Sequence, residues 1–119
     1  MKTKRTNPDF LNGVPELLIL SLLECRPMYG YELVQAIRHS SDGVLEFGEG
    51  CIYPILHRLE ADGLLASRRE TVEGRNRVIY RVTAKGKKQL ASTVTTWKQI
   101  VQSINLVLQG GEHGRPVLA

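Results

Sequence analysis

Residues Gly48–Leu65 read GEGCIYPILHRLEADGLL, and the fold turns on what this stretch becomes. Ile52, Ile55, Leu56 and Leu59 stand at i, i+3, i+4 and i+7, one apolar stripe on a helix. Proline has no N–H and its ring clashes with the carbonyl four residues back. Pro54 therefore belongs in or beside the first turn, and the helix should start near Gly50 or Cys51. Gly63 is placed to end it as a left-handed cap. Cys51, Tyr53, Pro54, His57 and Arg58 point away from the stripe. An ordinary solvated face accounts for such residues. So does a helix whose first turns enter a DNA major groove, where tyrosine and proline pack on thymine methyls and tyrosine and arginine hydrogen-bond to phosphates or bases. The helix alone does not choose between the two. Glu60 and Asp62 lie at its far end, away from a duplex approached N-terminus first.

Working outward, Val14–Cys25 is apolar nearly all round with Pro15 in its first turn, which predicts a buried helix. A second helix follows from about Gly30 to His39, with Leu33, Val34 and Ile37 on one stripe, and SSDG closes it. Beyond the quoted stretch, LLASRRETV and RVIYRVT flank EGRN, and Val78, Tyr80 and Val82 alternate with Arg77, Ile79 and Arg81, as in a hairpin. Thr83 can cap a last helix of about 25 residues, some ~38 Å long. Three short helices, a basic hairpin and a long helix make a mainly α chain with a β-hairpin wing: a winged helix-turn-helix plus a long C-terminal dimerisation helix. The expected divisions are a flexible basic arm at residues 1–9, the winged helix-turn-helix at 10–83, the C-terminal helix at 84–109 and a disordered tail at 110–119.

The chain has 119 residues, enough for one domain, and its 42% hydrophobic content is ordinary for a globular chain. The apolar run Leu17–Leu23 is broken by Ser21 and falls short of the ~18 residues of a spanning helix. No signal-peptide pattern precedes it, so a cytoplasmic protein with no membrane partner is expected. Cys25 and Cys51 form neither a disulfide framework nor a CxxC, and His39, His57 and His113 stand apart, so neither a metal nor a cofactor is expected. No nucleophile–base pairing or phosphate loop suggests an enzyme.

Charge is unevenly spread. Thr6–Ser67 holds three basic and nine acidic residues, whereas Arg68–Lys88 holds eight basic and two acidic. A polyanion partner explains the basic segment, and so does a solvated basic surface. EGRNR places Arg75, Asn76 and Arg77 at the hairpin tip, where a wing lies along or in the minor groove. Charge on an edge also discourages strand pairing, but the hairpin's five arginines exceed that need. Lys85, Lys87 and Lys88 sit at the positive end of the last helix's dipole, at a cost of ~0.3–1 kcal/mol each. A docked phosphate would offset it. Lys2, Lys4 and Arg5 of the arm are further candidates for phosphate contacts.

On the last helix Leu90, Val94, Trp97, Val101, Ile104 and Leu108 are spaced 4, 3, 4, 3, 4, and Ile100 and Val107 widen the seam. Packing on the chain's own first helix is one reading. The favoured one is a two-fold homodimer in which last helices, and first helices, meet. Two recognition helices about one turn (~34 Å) apart would then read a palindromic operator in double-stranded DNA. Trp97 near a two-fold axis could sandwich a flat aromatic ligand or simply fill the dimer core. Val101 lies one turn further on. Ser21 could line the same space or bond to its own backbone.

LLILSLLECRPMYGYELVQAI, GEGCIYPILHRLEADGLL and EGRNRVIYRVTAKGKKQL together resemble, in order and spacing, the PadR-type transcriptional regulators. The likeness covers Leu17–Leu108, and the single C-terminal helix resembles the short subfamily. It implies a DNA-binding dimeric repressor, often of genes near its own, released by a small molecule. Matching positions imply DNA roles for Tyr31, Tyr53, Pro54, Arg75 and Arg77, and a flat aromatic or phenolic effector at the dimer interface near Trp97. Cys51 and His57 stand where the family usually has Thr or Ser and often Lys. A thiol at a helix N-terminus with a lowered pKa would make redox control of Cys51 conceivable. Two rivals remain. A metal-sensing regulator would need clustered ligands, and a winged-helix protein-interaction module would bind no specific DNA.

Overall fold

Proline, glycine and serine set where the helices begin and end. In the structure, a computed structural model that describes residues 13–113, Gly13 caps helix α1 (Val14–Cys25) at φ 93° and Pro15 occupies its first turn. Arg26 turns extended and ends it. A two-residue strand β1 (Met28–Tyr29) leads into α2 (Gly30–Ser40), whose Glu32 reaches back to accept the Tyr29 N–H at 3.1 Å. Ser41 closes α2: its hydroxyl donates to the Ile37 carbonyl at 2.8 Å and accepts the Leu45 N–H at 3.0 Å.

Helix α3 (Glu49–Ala61) begins slightly earlier than Pro54 suggests. The N–H groups of Cys51 and Ile52 both find the Gly48 carbonyl at 3.0 Å, so the helix nucleates ahead of the proline and forgoes the bond a residue 54 N–H would make to Gly50. At the other end Gly63 (φ 81°) donates to Glu60 at 3.0 Å and Leu64 to Leu59 at 2.9 Å, a Schellman cap as its sequence position predicts.

Strands β2 (Leu65–Val72) and β3 (Arg75–Val82) form the hairpin, with Val72 opposite Arg75. Its loop is the pair Glu73–Gly74, with φ 52° and 79°, a two-residue turn of the type that matches strand twist. The loop is thus shorter than EGRN, and Arg75 and Asn76 lie in the strand. The third strand, β1, pairs with β3 through Met28 opposite Tyr80 and Tyr29 opposite Ile79, giving the antiparallel order β1–β3–β2. Tyr80 is buried and Val78 and Val82 pack on the core, so the opposite face presents Arg75, Arg77, Ile79 and Arg81 beside Arg68 and Glu70. The core itself joins Ile19, Leu33, Phe47, Ile52, Leu56 and Leu59, each essentially sealed from solvent. Helix α1 is less buried than its composition predicts: Leu17, Leu18 and Leu22 are half-buried and Ser21 is exposed.

Helix α4 (Ala84–His113) continues through Gly110 to His113, beyond the residue 109 end expected from sequence, because Gly110 stays helical instead of turning left-handed. Thirty residues make it about 45 Å long. It packs against α1 near its start, where Leu90 is buried and Val94 and Trp97 are half-buried. Beyond Trp97 the seam has no cover among the described residues: Ile104 is 52% and Val107 74% exposed. This is the winged helix-turn-helix with a long C-terminal helix that the pattern predicts.

Thr83 caps α4 and does more. Its hydroxyl accepts the Gly86 N–H at 3.1 Å and donates to the Gly63 carbonyl at 2.7 Å, while its own N–H reaches the Leu64 carbonyl at 3.0 Å. A Cβ on Gly86 would fall 2.2 Å from that Leu64 oxygen. We expect Thr83→Ala to lower the unfolding free energy by about 1–2 kcal/mol, as for other lost caps. Gly86→Ala should cost more, since a backbone carbonyl cannot swing aside. Urea denaturation at fixed protein concentration checks both.

Candidate nucleic-acid interface

The face of α3 that sequence assigns to a groove is not uniform. Pro54 and His57 are exposed. Arg58 is exposed too, but its guanidinium donates to Glu16 on α1 at 2.9 Å. Such an exposed pair contributes at most about 1 kcal/mol and can exchange for a phosphate. Tyr53 is half-buried, with its ring laid on the first residue of α2. A Cβ at Gly30 would come 2.4 Å from the ring, so any larger residue there would have to displace the Tyr53 side chain. Burial pushes the Tyr53 phenol up, Glu49 adds to the rise and Arg77 opposes it. The group is a neutral phenol at neutral pH, able to donate and accept. Tyr31, one residue on from Gly30, is 46% exposed.

The wing arginines also differ. Arg75 and Asn76 are exposed next to the turn. Arg77 is half-buried, with its guanidinium carbon 4.4 Å from the centroid of the Tyr29 ring. Its Nε is buried and has no hydrogen-bond partner among the described residues. Tyr53 on Gly30 and Arg77 on Tyr29 draw α3, the start of α2 and β3 into one surface. Lys85 behaves otherwise than its dipole position implies. Its ammonium donates to the Asp62 carbonyl at 2.8 Å, at the negative end of α3, where a cation is favoured. Lys87 and Lys88 are exposed, with no ion pair among the described residues. Lys2, Lys4 and Arg5 lie outside the described residues.

Cys51 needs a correction. The thiol is half-buried, and burial pushes its pKa up, opposite to the lowering that redox control would need. The three residues singled out for an effector are not together in one chain. Trp97 and Val101 border an open groove on α4 with Gln102 and Asn105, whereas Ser21 lines a hollow between α1 and α2 with Leu18 and Ile37. Among the described residues no three potential metal ligands cluster, and no helix is long and apolar enough to cross a membrane.

Two contributors escaped the sequence reading. Tyr29 sits in a strand of two residues, too short to show alternation, and Glu16 meets Arg58 across 42 positions. Neither leaves a periodic signal.

Comparison with known proteins agrees with the motif reading. The model of the "Transcriptional regulator PadR-like family" matches residues 19–92. The transcriptional regulator Rv3488 of Mycobacterium tuberculosis is 42% identical over 106 residues, covering 88% of this chain and 92% of that protein. Among solved structures, a PadR-like transcriptional regulator from Bacillus cereus superposes with a TM-score of 0.76 at 31% identity, covering 87% of this chain and 99% of the other. A PadR family transcription regulator from Clostridium difficile does so with a TM-score of 0.71 at 31% identity, covering 81% and 99%.

Thiol labelling distinguishes the two cysteines. Cys25 is exposed and should react first with a thiol reagent at pH 8, with Cys51 lagging; equal rates are expected only after unfolding in guanidinium. Peptide mass spectrometry over a time course reads the order. Faster labelling of Cys51 in the folded protein would contradict the burial assigned to it.

Proposed function

The chain belongs to the PadR-like family of transcriptional regulators, and from that membership we propose that it is a homodimeric repressor which holds double-stranded DNA through α3 and the wing. The observation that carries the reading is the junction of three elements: Tyr53 of α3 lies on Gly30 at the start of α2, and Arg77 on the arginine face of β3 lies on the neighbouring Tyr29. Pro54, His57 and Tyr53 serve the groove, with Cys51 beside them, and Arg58 joins once it leaves Glu16. Arg75, Asn76 and Arg77 serve the wing. Lys87 and Lys88, Lys85 once it leaves Asp62, and the arm at residues 1–9 with Lys4 and Arg5 bind phosphates. The protein works in the cytoplasm and catalyses no reaction.

The second copy is proposed for the apolar stripe of α4. Ile100, Val101, Ile104 and Leu108 carry the heptad seam into solvent in a single chain. Burying each such side chain is worth roughly 1.5–3 kcal/mol. Leu90, Val94 and Trp97 tie that seam to the core of their own chain. A small aromatic or phenolic ligand between the halves, against Trp97, Val101 and Ser21 drawn from the two chains, would change DNA affinity only by binding one setting of the two recognition helices better than another.

Fluorescence anisotropy with DNA upstream of the chain's own gene, against scrambled DNA, tests the central step. A preference of about a thousandfold or more, with affinity falling steeply as salt rises, is the expected result. Weak, equal binding that ignores salt would instead support a protein-interaction module. For the dimer, Ile104→Glu should convert a dimer to a monomer in sedimentation equilibrium while the circular dichroism of the folded domain persists. An unchanged mass would show that the stripe is covered by something else.

A further inference from the structure

Among the described residues Arg77 has no anionic partner. Glu70 faces it across the hairpin, but Glu70 is taken by Arg68. Arg77 has no ion pair among the described residues, and its Nε is buried without a hydrogen bond. An Nε buried without a partner costs free energy in the free protein, so the guanidinium needs something to hold it there. What holds it is Tyr29, whose ring centroid lies 4.4 Å from the guanidinium carbon.

Tyr29 is itself fixed from two sides. Its backbone lies opposite Ile79, two residues from Arg77 on the same strand face, and its N–H is bound by Glu32, which Arg26 braces at 3.3 Å. Gly30 then lets the Tyr53 ring close in from α3. Arg75, on the same sheet face beside the turn, has no such support and is exposed.

We propose that Tyr29 is a positioning residue for DNA recognition: its ring holds the Arg77 guanidinium preorganised for one backbone phosphate of the bound duplex. A phosphate suits better than a base edge, because Arg77 is held back against the sheet while Arg75 and Asn76 lie nearer the tip. Contacts that stay outside a groove reach the backbone and set register. Preorganisation matters because an arginine otherwise loses side-chain freedom on binding. The inference rests on the DNA-binding reading above.

The test measures affinity and its salt slope on the fragment that wild type binds, with each variant's melting temperature recorded to confirm folding. Arg77→Ala should weaken binding about tenfold, the worth of one charged hydrogen-bonded contact, and reduce the slope by about 1. Tyr29→Leu should lower affinity to a similar extent while the slope stays, since Arg77 keeps its charge; Tyr29→Phe should keep wild-type values, and Tyr29→Leu with Arg77→Ala should be no weaker than Arg77→Ala alone. Should Tyr29→Leu fail to fold, Arg77→Lys decides instead. It keeps the charge but loses the planar stack, so affinity should fall while the slope stays. The inference is overturned if Tyr29→Leu binds like wild type, if its loss adds in full to that of Arg77→Ala, if Arg77→Ala leaves the slope unchanged, or if Arg77→Lys binds like wild type. In each of these cases wild-type binding leaves the DNA reading standing. Wild type that binds no DNA overturns both.

Discussion

One hydroxyl ties the parts of this protein together. Thr83 ends β3 and starts α4, and its side chain is shared between the Gly63 carbonyl beyond α3 and the Gly86 N–H inside α4. Its N–H takes the Leu64 carbonyl where β2 begins, and Lys85 takes the Asp62 carbonyl at the close of α3. Gly86 permits α4 to sit directly on that Leu64 carbonyl. The end of α3, the base of the hairpin and the root of α4 are therefore one joint. Bending it would break these bonds together, and those at the buried residues Leu64 and Gly86 are the costliest to leave unpaired. The setting of α4 thus fixes the setting of α3. In a dimer joined through α4, any change in the seam would be felt as a tilt of both recognition helices.

Charge placement follows a related logic. The basic segment is not a uniform field, because its members are held in different ways. Arg68 answers Glu70, Lys85 caps α3, and Arg77 lies on an aromatic ring, whereas Arg75, Lys87 and Lys88 stand in solvent. Free cations provide long-range attraction that salt weakens. Held cations set register, since they lose little freedom when an anion arrives. The Arg58–Glu16 pair falls between: strong enough to orient the side chain, weak enough to exchange.

Much of this architecture is legible in the sequence because it rests on local rules. The i, i+3, i+4, i+7 stripe of α3, the glycine that caps it and the threonine that opens α4 each act within a few residues. What the sequence hides comes from distance. The Tyr53 ring meets Gly30, Arg58 meets Glu16 and Arg77 meets Tyr29 only after three elements have packed. Periodicity finds the apolar seam of α4, but it cannot divide that seam. Leu90, Val94 and Trp97 serve their own core, and the residues from Ile100 onward do not. The raised Cys51 pKa is hidden for the same reason, because burial depends on neighbours far along the chain.

We propose that α3, the start of α2 and β3 form one DNA-binding face, joined to but distinct from the α4 seam. Amide hydrogen exchange with and without a bound duplex tests it most directly. Slowed exchange in the first turns of α2 and α3 and along β3, with distal α4 unchanged, is expected. Protection confined to α4, or none at all under conditions of saturating DNA, would contradict it.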